Sequence, residues 1–80
     1  MARIFVGNLN FGVRDGDLSS AFSTFGKVHS AAVPVDSHSQ RPQGFGFVDM
    51  PNLEEARTAA EALNGARLRG RQLSVRVIQG

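Results

Sequence analysis

The chain has 80 residues, of which 41% are hydrophobic and 20% charged, and its formal net charge is +2. This length suits one domain, expected over residues 1–80, and the composition excludes disordered and fibrous chains. The absence of Cys excludes a disulfide scaffold, a Cys-ligated zinc site and a thiol nucleophile. No apolar run approaches the roughly 20 residues of a membrane helix, and no signal peptide is visible, so we expect a soluble protein without membrane contact.

Three elements are predicted in the first half of the chain. Apolar and other residues alternate over Arg3–Asn8, which predicts a half-buried strand. Apolar residues at i, i+3, i+4 and i+7 over Asp15–Phe25, followed by Gly26, predict a helix. Small and β-branched residues over Val28–Val35 predict a second strand. Pro34 cannot donate to a strand ladder, so this strand is expected at a sheet edge.

The second half contains three more elements. Asp36–Gln43 is polar and predicts a loop, and Gly44–Met50 follows as a third strand. A capping-box pattern at Asn52 starts a predicted helix over Leu53–Leu63, and alternation over Gln72–Ile78 predicts a closing strand. The order βαββαβ predicts an α+β, ferredoxin-like sandwich: a four-stranded antiparallel sheet with both helices on one face and the other face open to solvent.

The strand parities place aromatic side chains on that open face. If the aliphatic strand residues point to the helices, then Phe5, Phe45 and Phe47 point to water. One Phe in a strand is usually a core residue, but three on one open face mark a binding site or an aggregation hazard. Arg3 and Arg76 flank the rings, and this combination suits stacking on nucleobases with contacts to phosphates. The residues expected to face the helices are Ile4, Val6, Val48, Met50, Leu73, Val75 and Val77.

Two segments resemble the signature motifs of a known family, the RNA recognition motif. Residues 43–50, QGFGFVDM, are similar to its octamer, Lys/Arg-Gly-aromatic-Gly/Ala-Phe-Val-x-aromatic. Residues 4–9, IFVGNL, resemble the hexamer of the family's first strand, and residues 62–65 and 70–75 resemble its last third. The resemblance therefore covers essentially the whole chain. Octamers that end in Met, as here at Met50, are similar to those of small, single-domain bacterial members.

The resemblance implies a role for each aromatic residue of the open face. It implies that Phe5 and Phe47 each stack one base and that Phe45 packs against the sugars between them. The octamer departs from the family pattern at Gln43, where the family has a Lys or Arg that contacts a phosphate. It is therefore open which residue makes this phosphate contact here, and Arg41, two residues before Gln43, is the candidate substitute.

Polar residues at the rim of the open face complete the expected site. Arg3, Arg41 and Arg76 are expected to contact phosphates or base edges. The residues expected to hydrogen-bond bases are Asn8, Gln43, Ser74 and Gln79.

A group of three further Arg residues precedes the closing strand in a predicted loop, at Arg67, Arg69 and Arg71. Together with Arg76 they make residues 66–80 basic and free of acidic residues, which favours a polyanionic partner. A solvated basic turn explains the three loop residues equally well.

Catalytic interpretations have little support in the sequence. The Gly44–Gly46 segment lacks the third Gly of a dinucleotide fingerprint, and no GxxxxGK[ST] motif is present. His29 and His38 have no Cys and too few carboxylates nearby in sequence for a metal site. The sequence therefore predicts no enzyme, no cofactor and no metal.

The sequence as a whole predicts a monomeric, sequence-tolerant binder of single-stranded RNA with a role in RNA processing or post-transcriptional control. Single-stranded DNA is the alternative nucleic acid. The rival from another class is a protein-interaction module that uses the helix face, although a domain with an idle sheet would usually lack the exposed rings. The expected location is intracellular: the cytoplasm in a bacterium, or the nucleus or cytoplasm in a eukaryote. The target sequence, the process and the organism stay open.

Overall fold

Eight elements follow one another in the computed structural model, which describes residues 1–80. Strands β2, β3, β1 and β6 form one antiparallel sheet in that order, and β4 pairs with β5 in a separate hairpin. The predicted βαββαβ order and ferredoxin-like α+β fold are confirmed, with the hairpin as an addition. The elements are β1 (Ala2–Gly7), α1 (Asp15–Ser23), β2 (Ser30–Ala32), β3 (Phe45–Met50), α2 (Leu53–Leu63), β4 (Arg67–Leu68), β5 (Arg71–Gln72) and β6 (Ser74–Gln79).

Strands β1 and β3 lie within one residue of their predicted bounds, and β6 begins two residues later than predicted, because Gln72 belongs to β5. Strand β2 is shorter than predicted. It pairs with β3 only over Ser30–Ala32, and one further bridge joins Val35 to Pro42. Pro34 lies between these two contacts and has no N–H to donate to a ladder. Strand β2 has β3 as its only neighbour, so the edge position predicted from Pro34 is confirmed.

The segment predicted as a loop before the closing strand forms the β4–β5 hairpin instead. Leu68 lies opposite Arg71, and the two residues between them make the turn. Arg69 and Gly70 have φ angles of +51° and +84°, as a two-residue type I′ turn requires. The loop prediction was wrong because Arg69 gives no turn signal of the kind that Asn or Asp would give before Gly.

The two helices differ in how closely they follow the prediction. Helix α2 has its predicted bounds, and the Asn52 side chain accepts a hydrogen bond from the Glu55 backbone N–H at 3.0 Å. The Glu55 carboxylate instead accepts a hydrogen bond from the Lys27 backbone N–H, in the α1–β2 connection, at 3.3 Å. The reciprocal half of the capping box, from the Glu55 side chain to the Asn52 N–H, therefore does not form. Helix α1 ends at Ser23 rather than Phe25, because the Phe25 N–H bonds to the Phe22 carbonyl, only three residues back. Neither helix is long and apolar enough to cross a membrane.

The hydrophobic core lies between the sheet and the two helices. Six of the seven strand residues expected to face the helices are buried, and Val77 is partly buried. Leu9 and Val13 of the β1–α1 loop are also buried, which strand and helix periodicity did not predict. The buried helix residues are Leu18, Phe22, Ala56, Ala59 and Ala60.

Gly46 allows α1 to approach the sheet closely. It lies on the helix side of β3, between Phe45 and Phe47, which point to the other side. A Cβ at this position would be 2.8 Å from the Ala32 carbonyl oxygen and 2.9 Å from a Leu18 methyl carbon. No side chain fits in that space. Glycine at position 46 therefore lets α1 pack against β3 between the two residues, Phe45 and Phe47, that point to the other face.

Candidate nucleic-acid interface

Three phenylalanine rings form a triangle on the open face of the sheet, called here the aromatic triangle: Phe5, Phe45 and Phe47. Phe5 of β1 lies directly opposite Phe47 of β3, so both share one face, and Phe45 precedes Phe47 by two residues. The ring centroids of Phe5 are 6.2 Å from Phe45 and 5.9 Å from Phe47, and Phe45 is 5.8 Å from Phe47. The rings cover one another in part, so they are partly buried rather than fully exposed as predicted.

Gly7 makes room for the Phe5 ring. A Cβ on Gly7 would be 2.8 Å from Cε2 of Phe5, because both residues project to the same face of β1. Phe45 is the cross-strand partner of Gly7, and its ring lies only 21° from parallel to that of Phe5. The glycine of the hexamer therefore lets Phe5 lie along the strand, towards Phe45.

Two guanidinium groups lie over the aromatic triangle. The Cζ atom of Arg3 is 5.4 Å from the centroid of Phe47, and that of Arg76 is 5.6 Å from the centroid of Phe5. Both distances are in the range of cation–π attraction. Arg76, opposite Phe5 on β6, forms no salt bridge, so its positive charge is uncompensated beside the rings.

Arg3, in contrast, is paired with an acid. Its Nε donates to Oδ1 of Asp49 at 3.0 Å and its Nη2 donates to Oδ2 at 3.2 Å, while the Ser30 hydroxyl donates to Oδ2 at 3.0 Å. The hydrogen bond to Asp49 raises the pKa of Arg3, and the same bond lowers the pKa of Asp49. The pair fixes the guanidinium over the Phe47 ring and cancels its charge. Sequence reasoning missed this pair, although the register that sets Phe5 opposite Phe47 also sets Arg3 opposite Asp49.

Ser74 and Gln79 lie at opposite ends of β6. Ser74 is paired with Gly7, whereas Gln79 is paired with Arg3 after a register shift in the strand pair. Simple alternation would turn Gln79 to the helices, but the shift leaves Ile78 as an extra residue and brings Gln79 to the open face with Arg3. Both side chains are exposed and make no hydrogen bond within the protein.

Asn8 is already engaged in the protein. Its φ angle is +61°, a conformation that Asn adopts more readily than most residues. Its Nδ2 donates to the Gln72 carbonyl at 2.7 Å, and its Oδ1 accepts from Nη2 of Arg71 at 2.7 Å. Asn8 thus joins the end of β1 to the β4–β5 hairpin, and a base would have to share these polar atoms.

Gln43 and Arg41 lie in the β2–β3 connection rather than on a strand. The Gln43 N–H donates to the Pro34 carbonyl at 3.3 Å, and the Arg41 carbonyl accepts from the Asp36 N–H at 2.8 Å. Neither side chain has a hydrogen-bonding or ionic partner in the protein. Both are therefore free to meet a ligand near Phe45, the first residue of β3.

Comparison with known families identifies this arrangement. The sequence profile of the RNA recognition motif matches residues 4–74. The chain belongs to the RNA recognition motif family. The family predicted from the octamer and hexamer is therefore confirmed, and the octamer is the segment that carries Phe45 and Phe47 on β3.

Curated relatives of this RNA recognition motif include plant and cyanobacterial proteins. It is 48% identical over 73 residues to the chloroplast RNA-binding protein CP29B of Arabidopsis thaliana, covering 91% of this chain and 25% of that protein. It is 43% identical over 72 residues to the protein RbpA of a Nostoc species, covering 90% of this chain and 71% of that protein. The chain thus spans about a quarter of the length of the chloroplast relative.

Solved structures agree in fold. The crystal structure of RNA-binding protein PG1 superposes with a TM-score of 0.93 at 42% identity, covering 96% of this chain and 93% of that one. The second RNA recognition motif of the yeast poly(U)-binding protein Pub1 superposes with a TM-score of 0.90 at 31% identity, covering 100% and 96%. Family and relatives support RNA binding and indicate a binding domain rather than an enzyme.

Proposed function

We propose that this chain binds single-stranded RNA on the open face of its sheet. In this proposal Phe5 and Phe47 each stack one base, and Phe45 packs against the sugars between them. The aromatic triangle carries the proposal, because three apolar rings on a solvent-facing sheet lower solubility unless a ligand covers them. Stacking one base on one ring contributes about 1–3 kcal/mol.

The charges around the aromatic triangle supplement stacking in two ways. Arg76 and Arg41 have no acidic partner and neutralise phosphates. Arg3 is compensated by Asp49, so it contributes little net charge. Its guanidinium has five N–H donors, of which the carboxylate uses two, and the others are available to base edges above Phe47.

The proposed binding is of moderate affinity and low sequence selectivity. Two stacked bases and a few phosphate contacts, reduced by the cost of ordering a flexible strand, correspond to roughly micromolar dissociation constants. Gln43, Ser74 and Gln79 offer neutral hydrogen-bonding groups at the rim. We propose a monomer that acts in RNA processing or post-transcriptional control, with single-stranded DNA as a second ligand because it also offers flat bases and phosphates.

The test is the affinity of a fluorescent single-stranded pentanucleotide for the wild type, Phe47→Ala and Phe47→Tyr. Phe47→Ala should weaken binding about 5-fold to 150-fold, because one stack is lost. Phe47→Tyr keeps a ring of the same shape and should retain affinity. Circular dichroism should show the same fold for all three proteins, because this side chain lies outside the core.

Two outcomes would contradict the proposal. A folded Phe47→Ala protein that binds as tightly as the wild type would exclude stacking on this ring. Binding of a protein partner to the exposed sides of α1 and α2, with no RNA binding at all, would favour the interaction-module alternative.

A further inference from the structure

A fourth phenylalanine, Phe11, projects from the β1–α1 loop with 63% of its surface exposed. Its neighbours Leu9 and Val13 are buried, at 1% and 0% exposure, so the loop is anchored on both sides of the ring. Within the loop, Asn10 accepts from the Gly12 N–H at 2.8 Å through Oδ1 and from the Val13 N–H at 2.9 Å through its carbonyl. A hydrogen-bonded turn therefore holds an apolar ring outward, where it contributes little to the core.

The Phe11 ring lies next to the start of β3. A Cβ on Gly44 would be 3.5 Å from Cε1 of Phe11 and 3.7 Å from the Leu9 carbonyl oxygen. The Leu9 N–H donates to the Gly44 carbonyl at 2.8 Å, which attaches the loop to the strand. Gly44 immediately precedes Phe45, so the Phe11 ring lies beside the start of the strand that carries Phe45 and Phe47.

The β4–β5 hairpin brings a guanidinium group to the same end of the sheet. Arg71 donates to Oδ1 of Asn8 at 2.7 Å, and the Asn10 side chain donates to the Arg69 carbonyl at 3.2 Å. The hairpin and the Phe11 loop are thus joined by side-chain hydrogen bonds. Arg69 forms a salt bridge with Asp17 at 3.5 Å, whereas Arg71 has no acidic partner. Arg71 is therefore a positioned and uncompensated cation at this end.

We propose that Phe11 and Arg71 form an additional subsite for one nucleotide of the same RNA strand, next to the nucleotides on Phe5 and Phe47. Phe11 contacts the base of this nucleotide, and Arg71 contacts its phosphate. The anchored ring and the uncompensated guanidinium lie on two hydrogen-bonded segments at the same end of the sheet, next to the start of β3. This combination matches the base and phosphate of a nucleotide. This subsite rests on the proposed function, because the strand reaches it only after crossing the sheet face.

The first test compares a uridine dinucleotide, which occupies only the sheet face, with a uridine hexanucleotide. Phe11→Ala should weaken hexanucleotide binding about 5-fold or more and leave dinucleotide binding unchanged, while Phe11→Tyr should behave as the wild type. Phe47→Ala should weaken both probes. Binding is followed by NMR chemical shifts, which detect the weak dinucleotide complex.

The outcomes separate the subsite from the sheet face. If Phe47→Ala weakens both probes and Phe11→Ala weakens neither, the subsite is wrong and the sheet face stands; the Phe11 ring then belongs to another partner, such as a protein. If Phe47→Ala weakens neither probe, the stacking face fails and the subsite fails with it. Equal losses on both probes in Phe11→Ala would also overturn the subsite, because they would indicate a general disturbance of β3.

The second test isolates the Arg71 charge with a matched control. Arg67 is on the same hairpin, but Arg71 shares a face with Leu68, so Arg67 projects to the other face. Arg71→Gln should reduce the slope of log affinity against log salt for the hexanucleotide by about 0.7, the value for one phosphate contact on a single strand. Arg67→Gln should leave the slope unchanged. Equal slopes in the two variants would exclude a phosphate contact at Arg71.

Discussion

The two faces of the four-stranded sheet are formed by alternate residues of the same strands and have opposite properties. On the helix side, Ile4, Val6 and Val48 are completely buried in an aliphatic core. On the open side, Phe5 and Phe47 are partly exposed and lie under guanidinium groups. Residues that stabilise the fold and residues that would bind RNA are therefore neighbours in sequence but are separated by the sheet. Substitutions on the helix side should therefore change stability but not RNA affinity, and substitutions on the open side should change RNA affinity but not stability.

The largest expected effect comes from the helix side. Ile4→Ala removes a fully buried side chain, and such truncations cost about 2–5 kcal/mol of unfolding free energy. Urea denaturation should show this loss, while the folded fraction at low temperature should bind the pentanucleotide with unchanged affinity. A variant that stays as stable as the wild type but loses RNA affinity would reverse the assignment of the two faces.

A smaller effect is expected from a glycine on the open side. In Gly7→Ala the new methyl group meets the outer edge of the Phe5 ring, where a Cβ would be 2.8 Å from Cε2. The ring can turn aside, so stability should change little, but its stacking surface is displaced. We expect about a 5-fold loss of pentanucleotide affinity, at the low end of the range for losing a complete stack. Unchanged affinity would show that the orientation of Phe5 along β1 does not matter.

The two faces themselves could be predicted from alternation in the sequence, but several contacts that shape the site could not. Period-two patterning assigns Phe5 and Ile4 to opposite sides without any knowledge of partners. It does not state the register, which sets Arg3 opposite Asp49 and cancels a charge that was expected to meet phosphate. Sequence reasoning therefore placed the rings correctly and overestimated the free charge around them.

Irregular backbone explains the remaining differences. Neither the register shift before Gln79 nor the type I′ turn at Arg69 follows from a repeating pattern in the sequence. The turn carries the hairpin that engages Asn8, a residue that was expected to be free for bases. Strands β4 and β5 have only two residues each, which is too short for an alternating pattern to reveal them. Loops and hairpins at the end of the sheet are thus the part of the site that required a structure.

Charge can be added to the open side alone at position 43. Gln43 has no partner in the protein, so Gln43→Lys introduces an uncompensated cation at the start of β3. Binding should tighten at low salt, and the slope of log affinity against log salt should become steeper by about 0.7. Gln40→Lys, in the same connection but farther from the rings in sequence, is the charge control. Equal slopes for the two variants would indicate a general electrostatic effect rather than a phosphate contact at position 43.

The smallest expected effect concerns the Arg3–Asp49 pair and its pH dependence. Hydrogen bonding to Arg3 lowers the pKa of Asp49 below its ordinary value of 3.8, so the folded state favours the ionised carboxylate. The pair should therefore stabilise the fold above about pH 4, and this stabilisation should disappear as the pH falls through the lowered pKa. Thermal melts of the wild type and Asp49→Asn should differ by a constant amount near neutral pH and converge in acid. A difference that persists below pH 3 would assign the effect to packing instead of charge.

RNA binding on the open face is tested most directly by an NMR titration of the isotope-labelled protein with a single-stranded pentanucleotide. We expect the backbone amides of β1 and β3 to shift and the ring protons of Phe5, Phe45 and Phe47 to move upfield as bases stack on them, while the outer residues of α1 and α2 do not respond. Shifts confined to the helices, with the three rings unchanged, would contradict binding on this face.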